Sequence, residues 1–384
     1  MSTPDLAAMT RDLAAMVRIP SVNPYDAAPG PGRREAEIAA WLLTAMADIG
    51  LETGREEVAP GRPNVWGRLR GAGGGPTLML AGHTDTVGVE NCDDAPFEAR
   101  VEDGRLHGRG AVDMKGPLAA MLETARLAKG EALAGDLLLM FVVDEEHLMT
   151  GSLFAGGRRS AAPKADSCVV CEPTRLAAAP AHKGQSAFPI TIEGVGAHSS
   201  RPELGENALV SAATLIRAIA DYDAALLARP PHPLLGHGRA TPVLMTGGES
   251  HSAVPAQAVL TVDRRTLPAE DAATLRAEIE AVIAGAGVKA RVGAPAPEVA
   301  GLDTPEEAAI LRAALAAAAR VGAPAAPVAF PGGTDAPNFG CPAVICGPGD
   351  LAQAHAADEY IELAQLSAAA RLYLEIARIM LKGR

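Results

Sequence analysis

Apolar and polar positions fall into two textures along the chain. In the first, short unbroken apolar runs alternate with amphipathic stretches. Residues 34–49 (REAEIAAWLLTAMADI) and 117–129 carry apolar side chains at helical spacing, while 77–81, 137–143 and 166–171 are almost wholly apolar. Runs of that length predict strands covered on both faces, and helices between them predict a mostly parallel sheet flanked by helices. From about residue 183 the texture changes to strands over 187–193, 242–246 and 258–264, with helices over 206–228 and 269–285, which describes a small α+β unit. After a Gly/Ala/Pro-rich stretch at 292–301 the first texture returns, with a helix over 305–320, a strand over 343–346 and a helix from 361. The expected fold is an α/β domain made of residues 1–182 and 294–384, interrupted by an α+β insertion at 183–293.

Length and composition agree with two folded domains. The chain has 384 residues against roughly 150 per domain, with 48% hydrophobic and 21% charged residues, values of a globular protein. The net charge of −12 and the scarcity of aromatic residues (Phe 6, Tyr 4, Trp 2) argue against nucleic acid as a partner. Five cysteines, an odd number, fit a reducing cytoplasm better than a disulfide framework. Near the start, Leu6, Met9, Leu13, Met16 and Val17 are helically spaced and interrupted by Arg11 and Asp12, unlike the apolar core of a signal peptide. No apolar run is long enough for a membrane span.

The chemistry lies where apolar runs stop. LMLAGHTD ends in His83 and Asp85, LLLMFVVDEE in Asp144, Glu145 and Glu146, and CVVCEPT in Glu172; the run AVICGP precedes a loop with His355. In open α/β sheets the ligand crevice runs along the carboxyl ends of the strands, so separate strands can deliver these groups to one place. Asp113 sits in a Gly-flanked turn, GRGAVDMKG, before a helix. A single acid at a strand end is ordinarily solvated, but so many in such contexts, including three acids in a row, call for cations. Three carboxylates (Asp113, Glu146, Glu172) and two imidazoles (His83, His355) suit a pair of Zn²⁺ ions with one carboxylate bridging. Asp85 is placed to orient His83, and Glu145 remains over to accept a proton from water. GAGGG at 71–75 precedes its strand and GVGAHSS lacks a dinucleotide-binding context, so neither marks a nucleotide site.

AGHTDTV, GRGAVDMKG, DEE, CEPT and GPGDLAQAH, in this order and spacing, resemble the M20 family of dinuclear zinc aminoacylases and peptidases over nearly the whole chain. The resemblance implies a catalytic domain interrupted by a lid that often dimerises. It implies that His83 and Glu172 hold one zinc and Glu146 and His355 the other, that Asp113 bridges and that Glu145 is the general base; Co²⁺ or Mn²⁺ would be substitutes. GVGAHSSRPELGENA resembles the lid segment whose histidine, His198 in this chain, reaches a neighbouring active site to stabilise the oxyanion. Arg265 in VDRRTLP looks like the binder of the substrate carboxylate, with Arg264 as a structural or solvated neighbour. Gly333 and Thr334 in PGGTDAPNF look like substrate-loop donors, and Asn207 is a weaker candidate for that task. One departure is DEEHLMTGS, where His147 and Met149 replace the small residues more usual after the acid pair. AHKG at 181–184 and GPGDLAQAHAADEY are most similar to acetylornithine deacetylases, whereas GGTD is shared with succinyl-diaminopimelate desuccinylases. The expected activity is hydrolysis of a small N-acyl amino acid by a homodimer. A desuccinylase, a dipeptidase or carboxypeptidase, and a catalytically silent metal-binding scaffold are the alternatives.

Overall fold

The computed structural model describes residues 3–25, 34–92 and 95–382. The chain divides into two compact units, the larger formed by residues up to Ala181, Thr304–Phe330 and from Thr334 onward, the smaller by His182–Asp303 and Pro331–Gly333.

The larger unit is built on a six-stranded sheet in the order Glu52–Ala59, Arg62–Leu69, Asp136–Val142, Thr77–His83, Ser167–Val170 and Ala343–Ile345. The last four run parallel: Leu80 stands between Leu139 on one neighbour and Val169 on the other. Every residue from Leu78 to His83 is buried, the signature of a strand covered on both faces. The helices Leu6–Val17, Glu35–Ile49, Gly116–Ala128, Ala309–Val321 and Leu363–Met380 bury their apolar faces in the same core as these strands. Asp5 caps the first of them through the amide of Ala8. Gly82 leaves room for a close approach, since a Cβ there would lie 2.6 Å from Met114 Cε. The α/β class, with a mostly parallel sheet flanked by helices, is as expected.

The hairpin of Glu52–Ala59 and Arg62–Leu69 was not expected. Its outer strand, ETGREEVA, is partly to fully exposed, so no apolar run announces it. The sequence also hides the helix Thr150–Gly156 and the three short strands Arg100–Glu102, Arg105–His107 and Tyr360–Glu362.

In the smaller unit the sheet Arg239–Gly247, Gln257–Thr266, Gly184–Glu193 and Ala290–Val292 is antiparallel and shares a core with the helices Ala208–Leu227 and Ala272–Gly285. Glu298 and Val299 pair with Ser186 and Gln185, so residues 294–303 stay with this unit, whereas the sequence reading returned them to the α/β part. A Gly/Pro-rich stretch hid that short edge pairing. Arg264 is buried and hydrogen-bonds the carbonyl of Arg265, the hydroxyl of Tyr222 and the carboxylate of Glu270. Among the described residues no helix is long and apolar enough to cross a membrane.

Leu139 is fully buried in the sheet, whereas Val101 is 52% exposed. Leu139→Ala is expected to cost about 2–5 kcal/mol in urea unfolding and Val101→Ala less than about 0.5 kcal/mol.

Candidate metal centre

Each candidate ligand leaves the carboxyl end of a parallel strand or a turn beside it. His83 closes the strand Thr77–His83, Glu146 lies in the turn after Asp136–Val142, and Glu172 follows Ser167–Val170. These three strands are neighbours in the sheet, so their ends form one edge. Asp113 lies in the irregular turn Ala111–Lys115 ahead of the helix Gly116–Ala128, and His355 lies in the loop after the short turn Leu351–Gln353.

The five side chains converge around Asp113. Its Oδ1 lies 3.0 Å from His83 Nε2, and its Oδ2 lies 3.3 Å from His355 Nε2. Glu172 Oε1 stands 3.6 Å from His83 Nε2 on one side, and Glu146 Oε2 stands 3.2 Å from His355 Nε2 on the other. One carboxylate thus faces an imidazole with each oxygen, and each imidazole has a further acid beside it. Ligand atoms of His83, Asp113 and Glu146 lie within 4.8 Å of one another.

Two observations test whether cations fit. Glu146 Oε1 and Glu172 Oε1 are buried without a hydrogen-bond partner, a costly state that a cation at that oxygen removes. The protonation equilibria also record a missing positive charge. Burial and the charge of Asp113 push the carboxyls of Glu146 and Glu172 upward. Hydrogen bonds that the half-exposed His355 donates to Asp113 and Glu146 hold it up at about 10. Burial opposes the charged form of His83, but Asp113, Asp85 and Glu172 outweigh it and raise this imidazole well above its usual range. Protons therefore gather where divalent ions would otherwise balance the acids, and the oxygen and imidazole donors suit such ions.

Around these groups lies a layer that the sequence reading only partly found. Asp85 is fully buried and faces His83 Nδ1 in two ways, through its main-chain carbonyl at 2.9 Å and its carboxylate at 3.6 Å. The carbonyl makes the hydrogen bond because the strand ends at His83 and Asp85 lies in the turn beyond. The carboxylate of Asp85 accepts from the amides of Glu145 and Glu146 and from Asn23 Nδ2, so it joins the His83 turn to the acid-pair turn.

Asn23 also donates to Asp144, which receives Arg62 at 2.9 Å and the Thr150 hydroxyl at 2.6 Å. Those contacts hold Asp144 at φ 69°, a left-handed conformation uncommon outside glycine. Asn23, Arg62 and Glu359, the last bonded to the Asp113 turn, were not singled out as site residues from the sequence, although Glu359 lies in the GPGDLAQAHAADEY segment. Asp335 was likewise missed. Burial pushes it up to about 7, Ser152 hydrogen-bonds its Oδ1, and its Oδ2 is buried without a partner.

Glu145 is half-buried. Burial first, and then the charges of Glu172, Asp335 and Glu146, raise its carboxyl well above the ordinary range despite the opposing charge of His83. His147 turns its ring edge-on to Tyr25, with 5.5 Å between centroids, and Met149 precedes the helix Thr150–Gly156 at φ 55°.

The residues expected to touch substrate divide between the units. Thr334 belongs to the larger unit, where it is buried and its hydroxyl oxygen accepts from the amide of Ala336. His198, Asn207, Arg265 and Gly333 belong to the smaller unit. There His198 is exposed with Nδ1 2.7 Å from the Ser200 hydroxyl, and Arg265 pairs with Asp263 at 2.9 Å. Asn207 caps the helix Ala208–Leu227, its Oδ1 accepting from Leu209 and Val210.

Residues 79–379 match the profile of peptidase family M20/M25/M40. The chain belongs to the M20 family. An acetylornithine deacetylase of Edwardsiella ictaluri is 30% identical over 368 residues, covering 90% of this chain and 91% of that relative. Aminopeptidase PepT of Bacillus cereus superposes with a TM-score of 0.80 at 21% identity, covering 99% and 100% of the two chains. The YXEP protein of Bacillus subtilis, described as a dinuclear metal-binding peptidase of the M20 family, gives 0.71 at 19% identity over 98% and 99%. This M20 chain is a metal-dependent amidohydrolase, with a candidate metal site at the sheet edge.

Coordination requires neutral imidazoles, whereas the neighbouring acids raise the proton affinity of both His83 and His355. Metal uptake should therefore release protons and strengthen from pH 6 to pH 8, by about tenfold per pH unit for each proton displaced. Calorimetry in buffers of different ionisation enthalpy measures that release.

Proposed function

We propose that the protein hydrolyses the amide bond of an N-acyl amino acid, with N-acetylornithine as its first substrate. The observation that carries this reading is the Asp113 carboxylate, one oxygen toward His83 and the other toward His355, each imidazole with a further acid beside it. Support for the substrate comes from the AHKG and GPGDLAQAHAADEY segments and from the relative named acetylornithine deacetylase.

In this reading His83 and Glu172 would hold one Zn²⁺, Glu146 and His355 the other, and Asp113 both. When bound, such ions would supply an acidified water, of pKa near ~7, and positive charge for the acyl oxygen, and Co²⁺ or Mn²⁺ could substitute for zinc. Glu145 takes the proton of the attacking water and passes it to the leaving amine, a task suited to a carboxyl whose affinity for protons is raised. Asp85 keeps the His83 ring oriented and the amides of Glu145 and Glu146 in place. His198 stabilises the oxyanion and Arg265 grips the α-carboxylate with its planar fork. Gly333 and Thr334 line the substrate; the Thr334 oxygen accepts the amide of Ala336, which fixes the side chain in the loop. The Oδ1 of Asn207 is engaged in helix capping, so only its amide NH₂ remains for substrate.

The smaller unit is the lid, and it joins two copies of the chain. Arg239–Gly247 is an unpaired edge of its sheet and exposes Val243, Leu244 and Met245, at 49%, 68% and 50%. An exposed apolar edge of that kind invites strand pairing. The odd number of cysteines, five, fits a reducing cytoplasm.

Release of free amine from N-acetylornithine, N-succinyl-diaminopimelate and Gly-X dipeptides should give the highest kcat/KM for the first; preference for either rival overturns the substrate. Glu145→Ala should lower turnover by about 10²–10⁴-fold with metal content unchanged, and undiminished turnover removes Glu145 as the base. In sedimentation equilibrium the chain should weigh twice its 39.3 kDa, and Leu244→Asp should return it to the single mass.

A further inference from the structure

Glu359 lies shortly after His355 and is almost fully buried. Its Oε1 accepts the main-chain amides of Val112 at 2.9 Å and Asp113 at 3.1 Å, while its Oε2 accepts the amide of Gly110 at 2.9 Å and Arg109 Nη1 at 2.8 Å. The amides belong to the turn that presents Asp113, and Gly110 within it stands at φ 80°, a conformation open to glycine at little cost. The backbone at Asp113 is non-helical, with φ and ψ of −123° and 94°, so its amide and those of Gly110 and Val112 turn to the Glu359 carboxylate instead.

Arg109 carries the connection to the other ligand loop. It is buried and donates to the carbonyls of Gly88 and Ala356 and to Asn91 Oδ1, and Asn91 Nδ2 donates in turn to the carbonyl of His355 at 2.9 Å. The amide of Gly108 donates to the carbonyl of Glu359. His355 itself stands at φ 61°, left-handed, and is half exposed, so its orientation depends on such external bonds more than that of buried His83 does. His83 is oriented by Asp85, and Glu172 follows directly from the sheet; neither is bonded by Glu359, Arg109 or Asn91.

We propose that Glu359 is a positioning residue that sets the Asp113 turn and the His355 loop at one fixed separation, and so governs the affinity of the cation held by Glu146 and His355 more than that of the cation held by His83 and Glu172. This inference rests on the two-cation reading. It separates the two sites: loss of the Glu359 carboxylate loosens Asp113 toward His355, while the His83 side keeps its own supports. Outer partners of metal ligands ordinarily change affinity by about 10–100-fold, which sets the size of the effect.

The test is a Co²⁺ titration of the chelator-stripped full-length chain, followed by visible absorption and calorimetry. Wild type should take up two equivalents. E359Q, which keeps the shape but replaces an accepting oxygen by a donor, should bind the first equivalent within about threefold of wild type and the second about 10–100-fold more weakly. Asn91→Ala, which touches only the Arg109 and His355 end, should weaken the second equivalent selectively and to a smaller degree. A purely structural role would lower both affinities together, so the ratio between the sites is the decisive readout. If wild type binds two ions and E359Q binds both as tightly as wild type, or loses both equally, the positioning role is wrong and the two-cation reading stands. If wild type binds fewer than two, that reading fails and this inference with it. Should E359Q not fold, Asn91→Ala decides by the same criterion, and an unchanged ratio overturns the proposal.

Discussion

Four carboxylates, those of Asp113, Glu146, Glu172 and Asp335, are buried within reach of one another's charge, and the half-buried Glu145 adds a fifth. Like charges desolvated together repel strongly, and a fold keeps them only when positive charge is supplied. Two imidazoles supply part of it. They sit on either side of Asp113, and in the metal-free chain they hold protons far more tightly than free histidine does. The remaining deficit shows in two buried oxygens without partners, one on Glu146 and one on Glu172. Much of the larger unit's polar architecture follows from holding this cluster together: the Asn23, Asp85 and Asp144 network beneath the acid pair, Arg62 behind Asp144, and Glu359 behind Asp113.

The sheet makes the cluster possible. Parallel strands buried on both faces end along a common edge, and their carboxyl ends at His83, near Glu146 and near Glu172 bring distant stretches of chain together. The apolar strands and the helices packed with them form one core, so the edge is a rigid platform. Beyond the platform the backbone departs from regular geometry where the chemistry is, with Asp144 at φ 69° and His355 at φ 61°. Such conformations persist where surrounding bonds over-determine them, and Asn23, Thr150 and Asn91 provide those bonds.

The strand ends were legible in the sequence because each apolar run stops at an acid or an imidazole, and a run of that kind has few alternatives to a buried strand. The supporting layer was not. Asn23, Arg62 and Glu359 end no apolar run, and their burial arises only when residues far apart in the chain meet. Arg62 also lies in the hairpin Glu52–Leu69, whose charged outer strand gives no apolar signal. Asp85 hydrogen-bonds His83 Nδ1 through its main-chain carbonyl and not its carboxylate because the strand ends at His83, an end that no apolar run announces to the residue. Short edge pairings such as Glu298–Val299 escape notice because two residues carry no periodicity.

The proposed chemistry requires Asp113 to be shared between two cations. Anomalous diffraction from crystals grown with Zn²⁺ and measured on both sides of the zinc edge tests this directly. The predicted result is two peaks about 3.5–4 Å apart with one Asp113 oxygen on each, His83 and Glu172 beside the first and Glu146 and His355 beside the second. A single peak, or two peaks with Asp113 outside the coordination of either, would contradict it.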